Sequence, residues 1–205
     1  MSDAPASNTW FTYFPEDYRW SAALCGMLSG ARFGATEIGE LDQVGRRLSK
    51  KLGDDNHWFR EWVRMADHVR GLGLAAERKK QSLSACSHYL RACNYYQMAE
   101  RFRTPKDKLA IDAFKKGVNC FHRFTRLTDR PKIEIVEVSF EGRKKLPGYF
   151  VHAQNTKKAK PPVVVFFDGL DVTKELQYMR GVEDIPRRGM SVLIMDGPGT
   201  GEAIR

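Results

Sequence analysis

Two short segments hold the residues whose types and spacing could do chemistry: Asp168-Gly169-Leu170-Asp171 and Asp196-Gly197-Pro198-Gly199-Thr200-Gly201-Glu202. Each follows an apolar run, Val163 to Phe167 and Ser191 to Met195, so each is expected at the carboxyl end of a strand, where parallel sheets gather function. The first segment suits acyl transfer, in which a developing oxyanion must meet fixed backbone N–H donors, each often worth about 3 kcal/mol of barrier. Gly169 would let the chain turn tightly and present the Leu170 N–H as such a donor; a plain strand-ending turn is the competing reading. The second segment has the glycines of a phosphate loop but not its chemistry. A Walker loop needs Lys and then Ser or Thr after the last glycine, and here stand Glu202 and Ala203, whose carboxylate would repel a triphosphate. The dinucleotide fingerprint fails as well, because Glu202 takes the third glycine position. No cofactor is expected.

The elements that must position these turns differ in period along the chain. From about Pro15 to Leu127 apolar residues recur at three and four, as in Leu41, Val44, Leu48 and Leu52, then Trp58, Phe59, Trp62, Val63, Ala66 and Val69. Thr104-Pro105 reads as an N-cap followed by proline in the first helical turn, opening a helix that runs to about Leu127. Beyond Arg130-Pro131 the pattern becomes β-rich. Ile133 to Phe140 changes parity, which suggests a bulge near Ile135, and Gly148 to Ala153 is the return strand. Val163 to Phe167 is wholly apolar, as expected of a strand covered on both faces. Lys174 to Arg188 reads as one helix stopped by Gly189, between that strand and Ser191 to Met195.

Composition narrows the partners. With 42% hydrophobic and 29% charged residues, the 205-residue chain is ordinary for a folded globular protein. The net charge of +9 is spread over small clusters such as Arg46-Arg47, Lys115-Lys116 and Arg187-Arg188, so no nucleic-acid partner is expected. No apolar run approaches the length of a membrane span, and Met1 to Thr9 carries no targeting pattern; a cytoplasmic location without membrane contact is the default expectation. Cys25, Cys86, Cys93 and Cys120 show no metal or redox spacing, and no metal site is expected. Cys86 and Cys93 share a helix face with Tyr89 and Leu90 and read as small core residues.

Pro162 to Arg205, with Phe-Phe-Asp-Gly-Leu-Asp-x-Thr-Lys-Glu and Met-Asp-Gly-Pro-Gly-x-Gly-Glu, resembles α/β-hydrolases that carry a helical N-terminal domain. That branch includes 2,6-dihydroxypseudooxynicotine hydrolase and polyketide-shortening pigment hydrolases. The resemblance implies an α/β fold with an all-helical cap at residues 1–130, followed at 131–205 by the first half, about four strands, of the hydrolase sheet. It implies that the Leu170 N–H and Gly169 form part of an oxyanion hole, with Asp168 where the family usually has histidine. The substrate would be a small carbonyl compound, cleaved at an ester, an amide or a carbon–carbon bond beside a ketone.

The family's serine stands on a G-x-S-x-G elbow after a later strand, and its acid and histidine follow. Gly26-Met27-Leu28-Ser29-Gly30 has the wrong spacing, and Gly189-Met190-Ser191-Val192-Leu193 lacks the second glycine. His57, His68, His88, His122 and His152 match no catalytic position. Nucleophile, acid and histidine are therefore expected to be absent from this sequence, which reads as C-terminally truncated and inactive. The family's strand order would leave Val163 to Phe167 as an exposed edge. Trp58, Trp62, Tyr89, Tyr95 and Tyr96 suit either an aromatic substrate under the cap or core packing. The competing function class is a non-catalytic module whose helical half binds a partner or forms a homodimer.

Overall fold

The computed structural model describes residues 12–167, 169 and 171–205. Helices come first: α1 (Tyr18–Leu28), α2 (Ile38–Leu48), α3 (Asp55–Arg78), α4 (Ser82–Glu100) and α5 (Lys108–Leu127). Their starts are set by local chemistry. Asp17 accepts from the Trp20 N–H, Asp54 from those of Asn56 and His57, and Asp107 from that of Ala110, each satisfying amides that a first helical turn leaves unpaired. The cap of α5 is thus Asp107 and not Thr104; Arg103 grips the same carboxylate at 2.6 Å. Pro105 lies in the connecting loop, outside the helix.

α4 is the centre of the helical layer. From Tyr89 to Glu100 every residue is buried, so this part of the helix has no solvent face. Four of the buried residues are nevertheless polar, Arg91, Asn94, Gln97 and Glu100, spaced three apart. A stripe of that kind is stable only when each group finds a partner. Arg91 meets Glu40 at 3.0 Å, and Asn94 donates to the Ala35 carbonyl and to Thr36 Oγ1, both at 2.9 Å. Gln97 and Glu100 reach toward the β half of the chain.

The sheet contains β1 (Ile133–Phe140), β2 (Lys144–Val151), β3 (Val163–Phe167) and β4 (Ser191–Met195) in the order β1-β2-β4-β3. β1 with β2 and β2 with β4 are antiparallel; β3 and β4 are parallel. This is the expected architecture, a helical cap layer followed by part of an α/β-hydrolase sheet. The two halves share one hydrophobic core, in which Trp62 and Phe121 belong with Tyr149, Val192 and Ile194.

Local expectations fare unevenly. No bulge interrupts β1: its residues pair one to one from Ile133 with Val151 to Phe140 with Lys144. Ile133 and Ile135 share one face, but only Ile133 joins the core and Ile135 is exposed. β2 begins at Lys144, earlier than the expected Gly148, because polar residues beside the turn still complete the ladder. The expected single helix from Lys174 to Arg188 is broken into α6 (Lys174–Gln177), a wide turn over Tyr178–Val182, and α7 (Asp184–Arg187). Gly181 has φ of 128°, a conformation that glycine tolerates and that ends the helical run. β3 is not covered on both faces: Val163, Val165 and Phe167 are 50%, 53% and 70% exposed, while Val164 and Phe166 are half-buried. The strand is an open edge, as the family's strand order implied.

Candidate active site

The start of the helix after β3 and the turn after β4 lie together at the carboxyl end of the sheet, and a buried ammonium joins them. Thr173 caps α6 by accepting from the Leu176 N–H, which fixes the next two residues, Lys174 and Glu175, beneath the helical layer. Lys174 Nζ lies 2.9 Å from Glu175 Oε1, 2.9 Å from Asp196 Oδ2 and 2.8 Å from Glu202 Oε2. Lys174, Glu175 and Asp196 are sealed from solvent, whereas Glu202 is partly open. The remaining carboxylate oxygens are also engaged. Tyr149 Oη donates to Glu175 Oε1 at 2.6 Å, and Gln97 Nε2 to Glu175 Oε2 at 3.0 Å. Asp196 accepts the backbone N–H groups of Lys174 and Glu202, both at 2.8 Å. Thr173 Oγ1 donates to Gln97 Oε1 at 2.6 Å, so the polar stripe of α4 docks directly on the network.

Electrostatics follow from that geometry. Burial disfavours the Lys174 ammonium, but Glu175, Asp196 and Glu202 outweigh it and hold its pKa above the ordinary lysine value. Burial also opposes the Glu175 carboxylate; Lys174, with hydrogen bonds from Tyr149 and Gln97, keeps its pKa low. Burial, reinforced by the charge of Glu175, pushes Asp196 up, so the pair takes up its first proton on the Asp196 side. An ammonium held this way is no general base. Its chemical role is to fix the start of α6 against the turn after β4. Gly201 completes the turn: its φ is 45°, and a Cβ there would overlap the Asp196 carboxyl. At this turn the Glu202 N–H is already bound to Asp196 and the Thr200 N–H to the Gly197 carbonyl, and the Glu202 carboxylate faces Lys174.

Beside the network a cleft of about 200 Å³ opens between the end of α4 and both loops. Its polar walls carry Arg101, Lys106 and Arg205 with Glu100 and Asp171; Met98 and Leu176 supply apolar surface. Glu100 is buried and holds Lys106 at 2.6 Å and Arg205 at 2.7 Å. Arg101 reaches Asp171 at 2.6 Å. The cleft therefore lies beside Asp171, roofed by the end of α4.

Of the residues singled out from sequence, Asp168 and Leu170 lie outside the described residues. Gly169 is exposed, and a Cβ built on it would meet nothing within 4 Å. Trp58, Trp62, Tyr89, Tyr95 and Tyr96 are fully buried; they are core. Four of the five polar tips end in protein, while Trp62 Nε1 finds no hydrogen-bond partner among the described residues. Trp58 Nε1 donates to the Met98 carbonyl at 2.8 Å, and the phenols donate to carboxylates that cations hold in turn. The resulting chains are Tyr89–Glu77–Arg123, Tyr96–Asp67–Lys116 and Tyr95–Glu40–Arg91. Cys93 is buried and Cys86 partly so, as core residues. His57 contacts the Arg47 carbonyl at 3.0 Å, His152 lies 3.0 Å from Glu134, and His88 meets Arg91 at 2.9 Å. His122 packs edge-on against Tyr149, and burial lowers its pKa.

Sequence reasoning passed over Lys174, Glu175, Asp196, Glu202, Tyr149 and Gln97 as a group. Two signals were available: a Thr-Lys-Glu run opening a helix beside an apolar strand, and the three-residue polar spacing within α4.

The chain is similar to known proteins. Hydrolase acrC of Aspergillus aculeatus is 30% identical over 208 residues, covering 95% of this chain and 48% of the relative. The 20-hydroxy-prefusarin hydrolase FUS2 of Gibberella moniliformis is 32% identical over 183 residues, covering 87% and 43%. The chain thus spans about half the length of the curated relatives it matches. Among solved structures, 2,6-dihydroxy-pseudo-oxynicotine hydrolase superposes with a TM-score of 0.67 at 20% identity, over 85% of this chain and 46% of that one. AbyA5 superposes with a TM-score of 0.54 at 23% identity, over 81% and 42%. Both show the fold. The family described as esterase FrsA-like matches residues 50–205, and with the hydrolase fold and these relatives it establishes that the chain belongs to the FrsA-like esterase family.

Proposed function

We propose that this chain forms the cap and the first part of the catalytic domain of a serine-type α/β-hydrolase. It acts on a small carbonyl compound, at an ester, an amide or a ketone-adjacent carbon–carbon bond, through an acyl-enzyme. Residues 1–130 serve as the cap and 131–205 as the partial hydrolase domain. The Leu170 N–H, with Gly169, contributes to the oxyanion hole, and Asp168 stands at the usual histidine position. Nucleophile, acid and histidine come from sequence outside residues 1–205, and the 205-residue chain alone is inactive. The setting is cytoplasmic, without nucleic acid, membrane or cofactor; among the described residues no helix is long and apolar enough to cross a membrane.

The observation that carries this reading is the cleft under α4 at the carboxyl ends of β3 and β4, where hydrolase oxyanion loops converge. The names of relatives, hydrolases of 20-hydroxy-prefusarin and of 2,6-dihydroxy-pseudo-oxynicotine, support a hydroxylated small-molecule substrate. Fluorophosphonate labelling tests it: the 205-residue chain stays unlabelled, and a labelled serine within it would refute the assignment. A second reading, a helical module that forms a homodimer, draws on the exposed β3 face of Val163, Val165 and Phe167. Light scattering on purified protein separates the two, because that module requires a stable dimer.

A further inference from the structure

We infer that Arg101 is a specificity-determining residue that receives a carboxylate of the ligand in exchange for Asp171, in a cleft suited to a carboxylate with an apolar body. The purpose of the ligand rests on the hydrolase reading above; its chemistry rests on the walls of the cleft. Lys106 and Arg205 both hold the buried Glu100, which is 6% exposed, so drawing either away weakens the pairing of a buried charge. Arg101 differs. Its partner Asp171 is 62% exposed, and an ion pair with one partner in water contributes little net stability. Once displaced, Asp171 is hydrated at small cost.

The guanidinium is already set for the exchange. One nitrogen lies 2.6 Å from Asp171 Oδ2 and the other reaches the Asp171 carbonyl at 3.4 Å, so the side chain occupies the position of a bound carboxylate. Met98 and Leu176 line the same cleft and would take the apolar part of the ligand. Thr173, capping α6, stays fixed by Gln97, which confines the change to the segment before the Lys174 network.

Benzoate and its neutral isostere benzamide test the exchange by calorimetry and NMR titration on the 205-residue chain. Benzoate should bind, and benzamide about tenfold more weakly, the ratio supplied by one charge-assisted hydrogen bond. Asp171→Asn should tighten benzoate, because the competing carboxylate is gone, and Arg101→Met should erase the preference for benzoate. A general loss of folding would not yield tighter binding in Asp171→Asn. Equal binding of the two probes, no binding of benzoate, or weaker or unchanged binding in Asp171→Asn would overturn the proposal. None of these readouts needs turnover, so this failure and that of the hydrolase reading are separable: fluorophosphonate labelling answers only the latter.

Discussion

Replacing Lys174 with methionine keeps most of the side chain's length and deletes the charge that ties the start of α6 to the turn after β4. Glu175 and Asp196 are then left with no cation in a site almost closed to solvent. Removing one partner of a buried ion pair costs about 3–5 kcal/mol. Remaining hydrogen bonds from Tyr149 and Gln97 to Glu175, and from two backbone amides to Asp196, place the expected loss toward the lower end of that range. For a chain of this size each kcal/mol moves Tm by roughly 2–4 °C, so a fall of about 6–12 °C is expected near neutral pH.

The pH dependence gives a second readout. Without the ammonium the two carboxylates titrate above their unfolded values of 4.5 and 3.8, so the native state binds protons that the unfolded state does not. The deficit of Lys174→Met against wild type should therefore shrink as pH falls from about 7.5 to about 5. Neutralising the acids in Lys174→Met/Glu175→Gln/Asp196→Asn should restore part of the loss. Paired thermal melts across pH measure all of this. A fall in Tm below about 2 °C, or a deficit that widens on acidification, would refute the view that the ammonium ties the start of α6 to the turn after β4.

Gly201→Ala should cost more than about 2 kcal/mol in urea unfolding, since its Cβ meets the Asp196 carboxyl at a backbone φ disfavoured for alanine. Tyr96→Phe removes a phenol bonded to the Asp67 carboxylate and should cost about 1.5–3 kcal/mol by the same measurement. His122 is held neutral mainly by burial, so its contribution is present above pH 6.5 and is lost as pH falls below that unfolded value; melts of His122→Asn should show a smaller decline there. Val165→Lys, on the exposed face of β3, should change stability by less than about 0.5 kcal/mol while lowering self-association seen by light scattering.

Much of the architecture was legible along the chain because its signals are local. Helical spacing around Trp58, Trp62 and Val69 marks α3, and the apolar runs Val163 to Phe167 and Ser191 to Met195 mark β3 and β4; period alone determines such elements. Boundaries were less legible where two local signals competed, as when Asp107 rather than Thr104 capped α5, or Gly181 broke a helix whose apolar spacing continued through it.

What the sequence by itself determined was the class of the elements, the family motifs and the places where the chain must turn. Tertiary structure alone decided that Lys174 meets Asp196 and Glu202, 22 and 28 residues away, and that Gln97 of α4 reaches Glu175. It also decided that five conspicuous aromatic residues pack as core instead of facing a ligand. Partners at such separations are chosen by which surfaces the shared core brings together, and a buried charge or phenol then has to be satisfied by whatever group arrives there. That choice depends on long-range packing, and no local period records it.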